Sequence, residues 1–194
     1  MPTMTLLPDG LAVSGWVANT GTVDDALTTN NGDTSYAEAG SHGETCTLTF
    51  ADPSVAESGI SSITSVQILT VGRYPARGSG GTDVDFLFEV GASTGLAETL
   101  NYNNSAIHHT RNGTARTVNT AGSAWSYSDL EDVELRLTKN GTVSTDVRIT
   151  MVNLLVTYVE AAGYGNAVMG VASANIGKVN NVATANLGKV IGVD

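Results

Sequence analysis

The 194-residue chain carries 19 acidic side chains against nine lysines and arginines, for a net charge of −10, and only 14% of its residues are charged. A phosphate backbone is held by clustered cations, which this composition lacks, so nucleic acid is excluded as a partner. The longest apolar run, near Met151–Val159, is far too short to cross a bilayer, so no membrane partner is expected. The start, MPTMTLLPDG, has no basic residue and no long apolar run, so a secretory leader is not expected either.

From Met1 to about Asn31 the pattern is weak: LAVSGW offers a strand, and the Gly, Thr and Asp residues after it suggest irregular chain. Asn30-Asn31-Gly32-Asp33 is a turn, with SYAEA an edge strand behind it. TCTLTF (45–50) alternates cleanly until Asp52-Pro53 stops it, and ITSVQILTV (63–71) is apolar enough to be central. Within the first of these, Cys46 alternates with Leu48 and Phe50 as a small buried hydrophobe; being the only cysteine, it cannot form an internal disulfide. GRYPARGSGGTD (72–83) is expected to be a mobile connection. DVDFLFEV (83–90) turns Val84, Phe86, Phe88 and Val90 inward, and Asp85 and Glu89 outward. Residues 91–105 are expected to be loop, and IHHTR and TARTVNT, flanking Asn112-Gly113, a peripheral hairpin. AWSYSDLEDVELRL then brings Trp125 and a short turn at Ser128-Asp129-Leu130 into the core.

The strongest pattern is VELRLTKNGTVSTDVRITMVNLLVTYV (133–159), where Val133, Leu135 and Leu137 alternate with polar residues. Asn140-Gly141 marks a reversal, and a three-residue loop with Gly141 in the left-handed position pairs Leu137 with Val143 and Val133 with Val147. That register keeps the apolar residues of both strands on one face. The expectation is an all-β chain: an antiparallel β-sandwich of jelly-roll type over residues 1–160, with an irregular N-terminal segment.

After Glu160 the composition changes. VASANIGKVNN is followed by VATANLGKVIG, an eleven-residue repeat in which Val171, Lys178 and Val179 recur as Val182, Lys189 and Val190. Gly177 and Gly188 argue against a helix, each costing about 1 kcal/mol relative to alanine. Two copies are too few to bury their own surface. Residues 161–194 therefore form an extended arm, for docking or assembly, that finds its core on another chain. Its partner-binding residues are Val171, Ile176, Lys178, Val179, Val182, Leu187, Lys189 and Val190.

Candidate chemistry is sparse. Gly91-Ala92-Ser93-Thr94-Gly95 matches G-x-S-x-G, but no alternating strands and helices surround it. His108 and His109 point to opposite faces of a strand, and His42 is isolated, so no zinc site converges. Asp24-Asp25, Asn30–Asp33 and Asp83/Asp85 leave room for a calcium ion, though turn chemistry and solvation account for them without one; no cofactor is expected. The Asp129–Glu134 cluster is a solvated turn. Trp16, Trp125, Tyr102, Tyr127 and Tyr158 include any sugar-stacking platform, but an aromatic content of 6% is low for one.

NNGDTSYAEA, ETCTLTFADPS and ISSITSVQILTVGR, followed by AWSYSDLEDVELRL and VRITMVNLLVTYV, resemble a group of β-sandwich proteins encoded among the virion genes of tailed bacteriophages. The tail ASANIGKVNNVATANLGKV is similar to short repeated segments of phage structural proteins. The resemblance implies a non-enzymatic virion component, above all a capsid decoration or cement protein. Its partners would be the major capsid protein or other virion subunits and further copies of itself, in a trimer. The alternative is a carbohydrate-binding or receptor-binding module of a tail fibre, with a host-surface glycan as its ligand.

Overall fold

The computed structural model describes residues 1–75, 81–103, 107–140 and 146–161, together with the backbone of 178–179 and 182–183. Two antiparallel sheets face each other. One runs β3 (Val17–Ala18), β4 (Ala37–Ala39), β11 (Val147–Glu160), β6 (Ile60–Arg73) and β9 (His109–Asn112), with β1 (Thr3–Leu6) also paired to β11. The other runs β2 (Pro8–Ser14), β5 (Thr45–Phe50), β10 (Val133–Lys139), β7 (Gly81–Val90) and β8 (Ser93–Asn103). From β4 to β11 successive strands cross from sheet to sheet, except that β7 and β8 form a hairpin within one; this is jelly-roll winding. Inward residues of both sheets (Leu135, Leu137, Phe86 and Phe88 from one, Ile149, Val152, Leu154 and Ile68 from the other) are wholly buried between them.

The expected hairpin of residues 133–159 does not form. β10 pairs β5 and β7 on its two sides, with Val133 opposite Val90 and Leu137 opposite both Cys46 and Phe86. β11 lies in the other sheet and puts Val147 opposite Ala39. The same alternation that suits neighbours within a sheet also suits strands stacked face to face, and here it is the second arrangement that buries both apolar faces. Gly141 and Val143, on which the three-residue loop rested, lie outside the described residues.

Other local expectations also shift. Residues 91–105 contain the eleven-residue strand β8, whose burial alternates on either side of a bulge at Leu96. Leu96 itself has φ +54°, a left-handed conformation that costs a non-glycine residue about 1–3 kcal/mol. Asn112-Gly113 is no hairpin turn, because β9 and Arg116 both pair with β6, and Gly113 donates its N–H to Ile68 O at 2.8 Å. The connection expected over 72–83 is partly strand, since β6 extends to Arg73 and β7 begins at Gly81. Ser128-Asp129-Leu130 belongs to a short helix, α2 (Tyr127–Glu131), entered through a capping box between Ser126 and Asp129.

The weakly patterned N-terminus is ordered by what it covers. β6 flanks one side of β11 throughout, while the other side is shared by β4 at 147–149 and β1 at 154–157. A one-turn helix, α1 (Val23–Ala26), capped by the Thr22 hydroxyl, leads into the slot between them. There Leu27, fully buried, accepts the Val152 N–H at 2.8 Å, and the Thr150 hydroxyl donates to Asn30 Oδ1. Otherwise β11 would carry an unpaired amide in the sheet.

Candidate functional site

The outer face of the five-stranded sheet is set by strand alternation: residues that do not enter the core line up in cross-strand rows. Thr49, Glu134, Glu89 and Thr94 form one row; Thr47, Arg136, Leu87 and Ala97 the next; Thr45, Thr138, Asp85 and Thr99 the third. At the β2 side, Val13 stands opposite Thr47. Together Ala12, Val13, Thr45, Thr47, Thr138, Arg136, Glu89 and Glu134 line an open groove of about 390 Å³.

Two features distinguish this groove from an ordinary solvated sheet face. Glu89 and Glu134 sit directly opposite one another, an arrangement that destabilises an antiparallel pair. Arg136 offsets the repulsion from the adjacent row, with its guanidinium 3.1 Å from the Glu89 carboxylate. The Arg136 side chain stays 40% exposed, so its remaining donors face solvent. Beside it Thr47 lines the groove and is almost completely buried. A guanidinium, two carboxylates and several hydroxyls thus converge on one concave surface with an apolar wall at Ala12 and Val13.

The far side of the same face is already satisfied internally. Thr99 donates to Asp85 at 2.6 Å, Asn140 donates to Asp85 at 2.7 Å, and Asn101 donates to Asp83 at 2.7 Å. The other acidic segments serve local structure too. Asp24 and Asp25 occupy the first turn of α1, and the Asn31 side chain accepts the Ser35 N–H. Asp129 accepts from Ser126 N–H and from Asn119. Among the described residues, no group of three or more His, Cys, Asp or Glu is placed to hold a metal ion.

The aromatic residues singled out in the sequence do not form a platform. Trp16 is buried and donates its indole N–H to Glu44 O; Trp125 is buried, donates to Arg116 O at 2.9 Å and packs edge-to-face on Phe88. Tyr102 is fully buried, Tyr158 is buried in the same core, and only Tyr127 among the five is half exposed. Gly91 and Ala92 turn β7 into β8, so Ser93 opens a strand, where a nucleophile elbow would open a helix. His109 pairs with Gly72 in the sheet, while the exposed His42 contacts Asn140 O through Nδ1.

Burial has chemical consequences elsewhere. Desolvation pushes the Cys46 thiol up to about 12, which makes it inert, as expected of a buried hydrophobe. Lys139, which sequence alternation places on the inward face after Leu137, is fully buried and donates to Gly40 O. Desolvation lowers its pKa, while Asp146 and Glu44 pull the other way.

Of the arm residues, Val171, Ile176, Leu187, Lys189 and Val190 lie outside the described residues. Lys178–Val179 (β12) and Val182–Ala183 (β13) form a two-stranded antiparallel sheet, with Val179 opposite Val182. Arg136, Glu89, Glu134 and Thr47 had no motif to announce them. Their only trace in sequence is outward placement on alternating strands, which any solvated face shares.

No known family model matches the chain, and no curated protein matches it. Among solved structures, it is similar to a family 16 carbohydrate-binding module (TM-score 0.37, 14% identity, covering 67% of this chain and 80% of that one). It is also similar to a CBM36-1 domain of a multidomain xylanase from the hindgut metagenome of Trinervitermes trinervoides (TM-score 0.39, 10% identity, 81% of this chain and 98% of that one). A third similarity is to the Agl-KA catalytic domain (TM-score 0.45, 14% identity), where 88% of this chain spans 30% of that one.

Proposed function

We propose that this chain is a non-enzymatic binding module that takes a polyhydroxylated ligand, a glycan, in the groove on the outer face of its five-stranded sheet. The observation that carries this reading is the opposed Glu89–Glu134 pair with Arg136 beside it. Folding does not require two carboxylates face to face, and the arrangement detracts from sheet stability. It suits a ligand whose hydroxyls can donate to carboxylates and accept from a guanidinium. Ala12 and Val13 offer an apolar wall for the C–H face of a sugar ring. Without an aromatic platform in the groove, recognition rests on hydrogen bonds and is weak per site.

Titration of the protein with a panel of bacterial surface oligosaccharides, followed by two-dimensional NMR, tests the proposal. Shifts should concentrate on Thr45, Thr47, Arg136 and Thr138. Arg136→Ala should weaken binding at least tenfold, since a charged hydrogen bond is worth about 1.5–3 kcal/mol. Binding that survives Arg136→Ala and Glu134→Gln unchanged would refute the assignment of the groove.

A second reading, a capsid decoration or cement protein that contacts the major capsid protein, is supported by the resemblance of the sandwich and tail to phage structural proteins. It is supported also by the repeat-bearing arm, in which, among the described residues, β12 and β13 pair with each other. Copy number in purified particles separates the two: hundreds favour decoration, a handful favours a tail fibre.

A further inference from the structure

The edges of the sandwich are treated unequally. On one side β8 and β9 are closed against further pairing: Arg111 and Arg116 reach across from the other sheet to donate to Asn101 O (2.9 Å) and Ala97 O (3.2 Å). Glu98, on the same strand, accepts from the N–H and hydroxyl of Thr114, and the Leu96 bulge bends the strand. Side-chain caps, an inward charge and a bulge are the devices that keep an edge strand from recruiting another chain.

On the opposite side β2 has no such side-chain caps among the described residues at Leu11–Ser14, although register shifts at Pro8/Gly10 and Leu11/Val13 interrupt its pairing and α1 lies beside it. Among the described residues β2 pairs only with β5, and Leu11, Ala12, Val13 and Ser14 are all exposed, Val13 at 56%. Val17, at the start of β3, continues the apolar strip at 64% exposure. The strand's one charged residue, Asp9, is held by the Thr49 hydroxyl. An uncharged apolar edge on a chain of net charge −10 calls for an occupant that is not another acidic surface.

We propose that the β2 edge is the docking site for the C-terminal arm of this chain, residues 162–194, which adds to the five-stranded sheet as a further antiparallel or parallel strand. Charge complementarity supports this occupant: the arm holds Lys178, Lys189 and Asp194, a net of +1, leaving −11 on the rest. Composition supports it also, since the arm's larger apolar residues are separated by Gly, Ala, Asn, Ser, Thr and Lys with no acid before Asp194. Extended pairing already occurs at 178–179 and 182–183. Reach is ample: the chain leaves the sandwich at Ala161, tied to Gly59 O, and 33 further residues can span about 110 Å when extended. Main-chain hydrogen bonds would supply affinity, and the exposed valines would set the register.

The test uses the full chain. Amide exchange over residues 171–190 should be protected in the parent protein and should accelerate about tenfold or more in Val13→Lys, which places a charge on the edge. Val13→Thr, β-branched and neutral, should retain protection. A chain carrying Val13→Cys and Val182→Cys should form a disulfide on mild oxidation, because the buried Cys46 does not compete; its mass shows whether the arm binds its own body or a neighbour's. Exchange over 171–190 at free-peptide rates in the parent protein would overturn the proposal. So would protection that Val13→Lys leaves intact.

Discussion

Among the described residues, a fully buried polar contact between the two sheets has energetics that can be worked out atom by atom. Tyr102, from β8, places its hydroxyl 2.6 Å from the Thr70 Oγ1 of β6, and Thr70 also donates to Arg111 O at 3.0 Å. A threonine hydroxyl has one proton, and the carbonyl cannot donate, so that proton goes to Arg111 O and the phenol must donate to Thr70. Tyr102→Phe removes one neutral hydrogen bond and leaves Thr70 still satisfied, at a cost of about 1 kcal/mol. Thr70→Val strands a buried phenol O–H, while the Arg111 carbonyl stays in the β6–β9 ladder, at a cost of about 1–3 kcal/mol on top of the lost hydrogen bond. In the double variant the phenol is gone, so its stranding penalty disappears and the two costs should sum to less than their separate values by about 1 kcal/mol or more. Urea unfolding followed by the fluorescence of Trp16 and Trp125 measures all three. If Thr70→Val costs no more than Tyr102→Phe, or if the two effects simply add, the donor assignment is wrong.

Three further outcomes follow from burial and backbone. Cys46 should resist a thiol reagent at pH 8 until the protein is unfolded; because the folded thiol ionises near 12 and the unfolded one near 9, it should withdraw stability as pH rises from 9 toward 12 and contribute fully below 9, a slope that Cys46→Ala removes in pH-dependent urea unfolding. Gly72→Val should lower the melting temperature by several degrees, about 1–3 kcal/mol, because even a Cβ there would lie 2.8 Å from both Arg148 O and a Tyr102 ring carbon. Ser126→Ala should cost about 1 kcal/mol in the same thermal melts, by leaving the first turn of α2 without its cap.

Much of the architecture was legible because alternation reports burial directly. TCTLTF, DVDFLFEV and VELRLTK all emerge as strands with the inward faces their periodicity implies. Partner choice was not legible: Leu137 faces the core equally well with Val143 beside it or with Cys46 and Phe86 there, and the turn signal at Asn140-Gly141 does not decide between them. β8 was missed for a different reason. As an outer strand it tolerates Gly95, Glu98 and Asn101, and its bulge breaks the period-2 count in the middle. The groove was legible only as outward residues, because the opposition of Glu89 and Glu134 depends on β7 and β10 being neighbours in register, a fact of pairing between segments more than forty residues apart.

The slot filled by Leu27 also bears on how the chain is made. β11 is the last strand of the sandwich to leave the ribosome, yet β1, β4 and the Leu27 carbonyl have their partners on it. At about 5–20 residues per second, the roughly 150 residues between β1 and the end of β11 take about 8–30 s to synthesise. Throughout that interval β2 can pair with β5 and β3 with β4, but β1 and the Leu27 carbonyl lack their partner, and Met4, Leu6 and Leu27 are without the β11 face that later covers them. Slow translation should therefore lower the yield of folded protein, and a circular permutant that starts at β11 should escape that dependence.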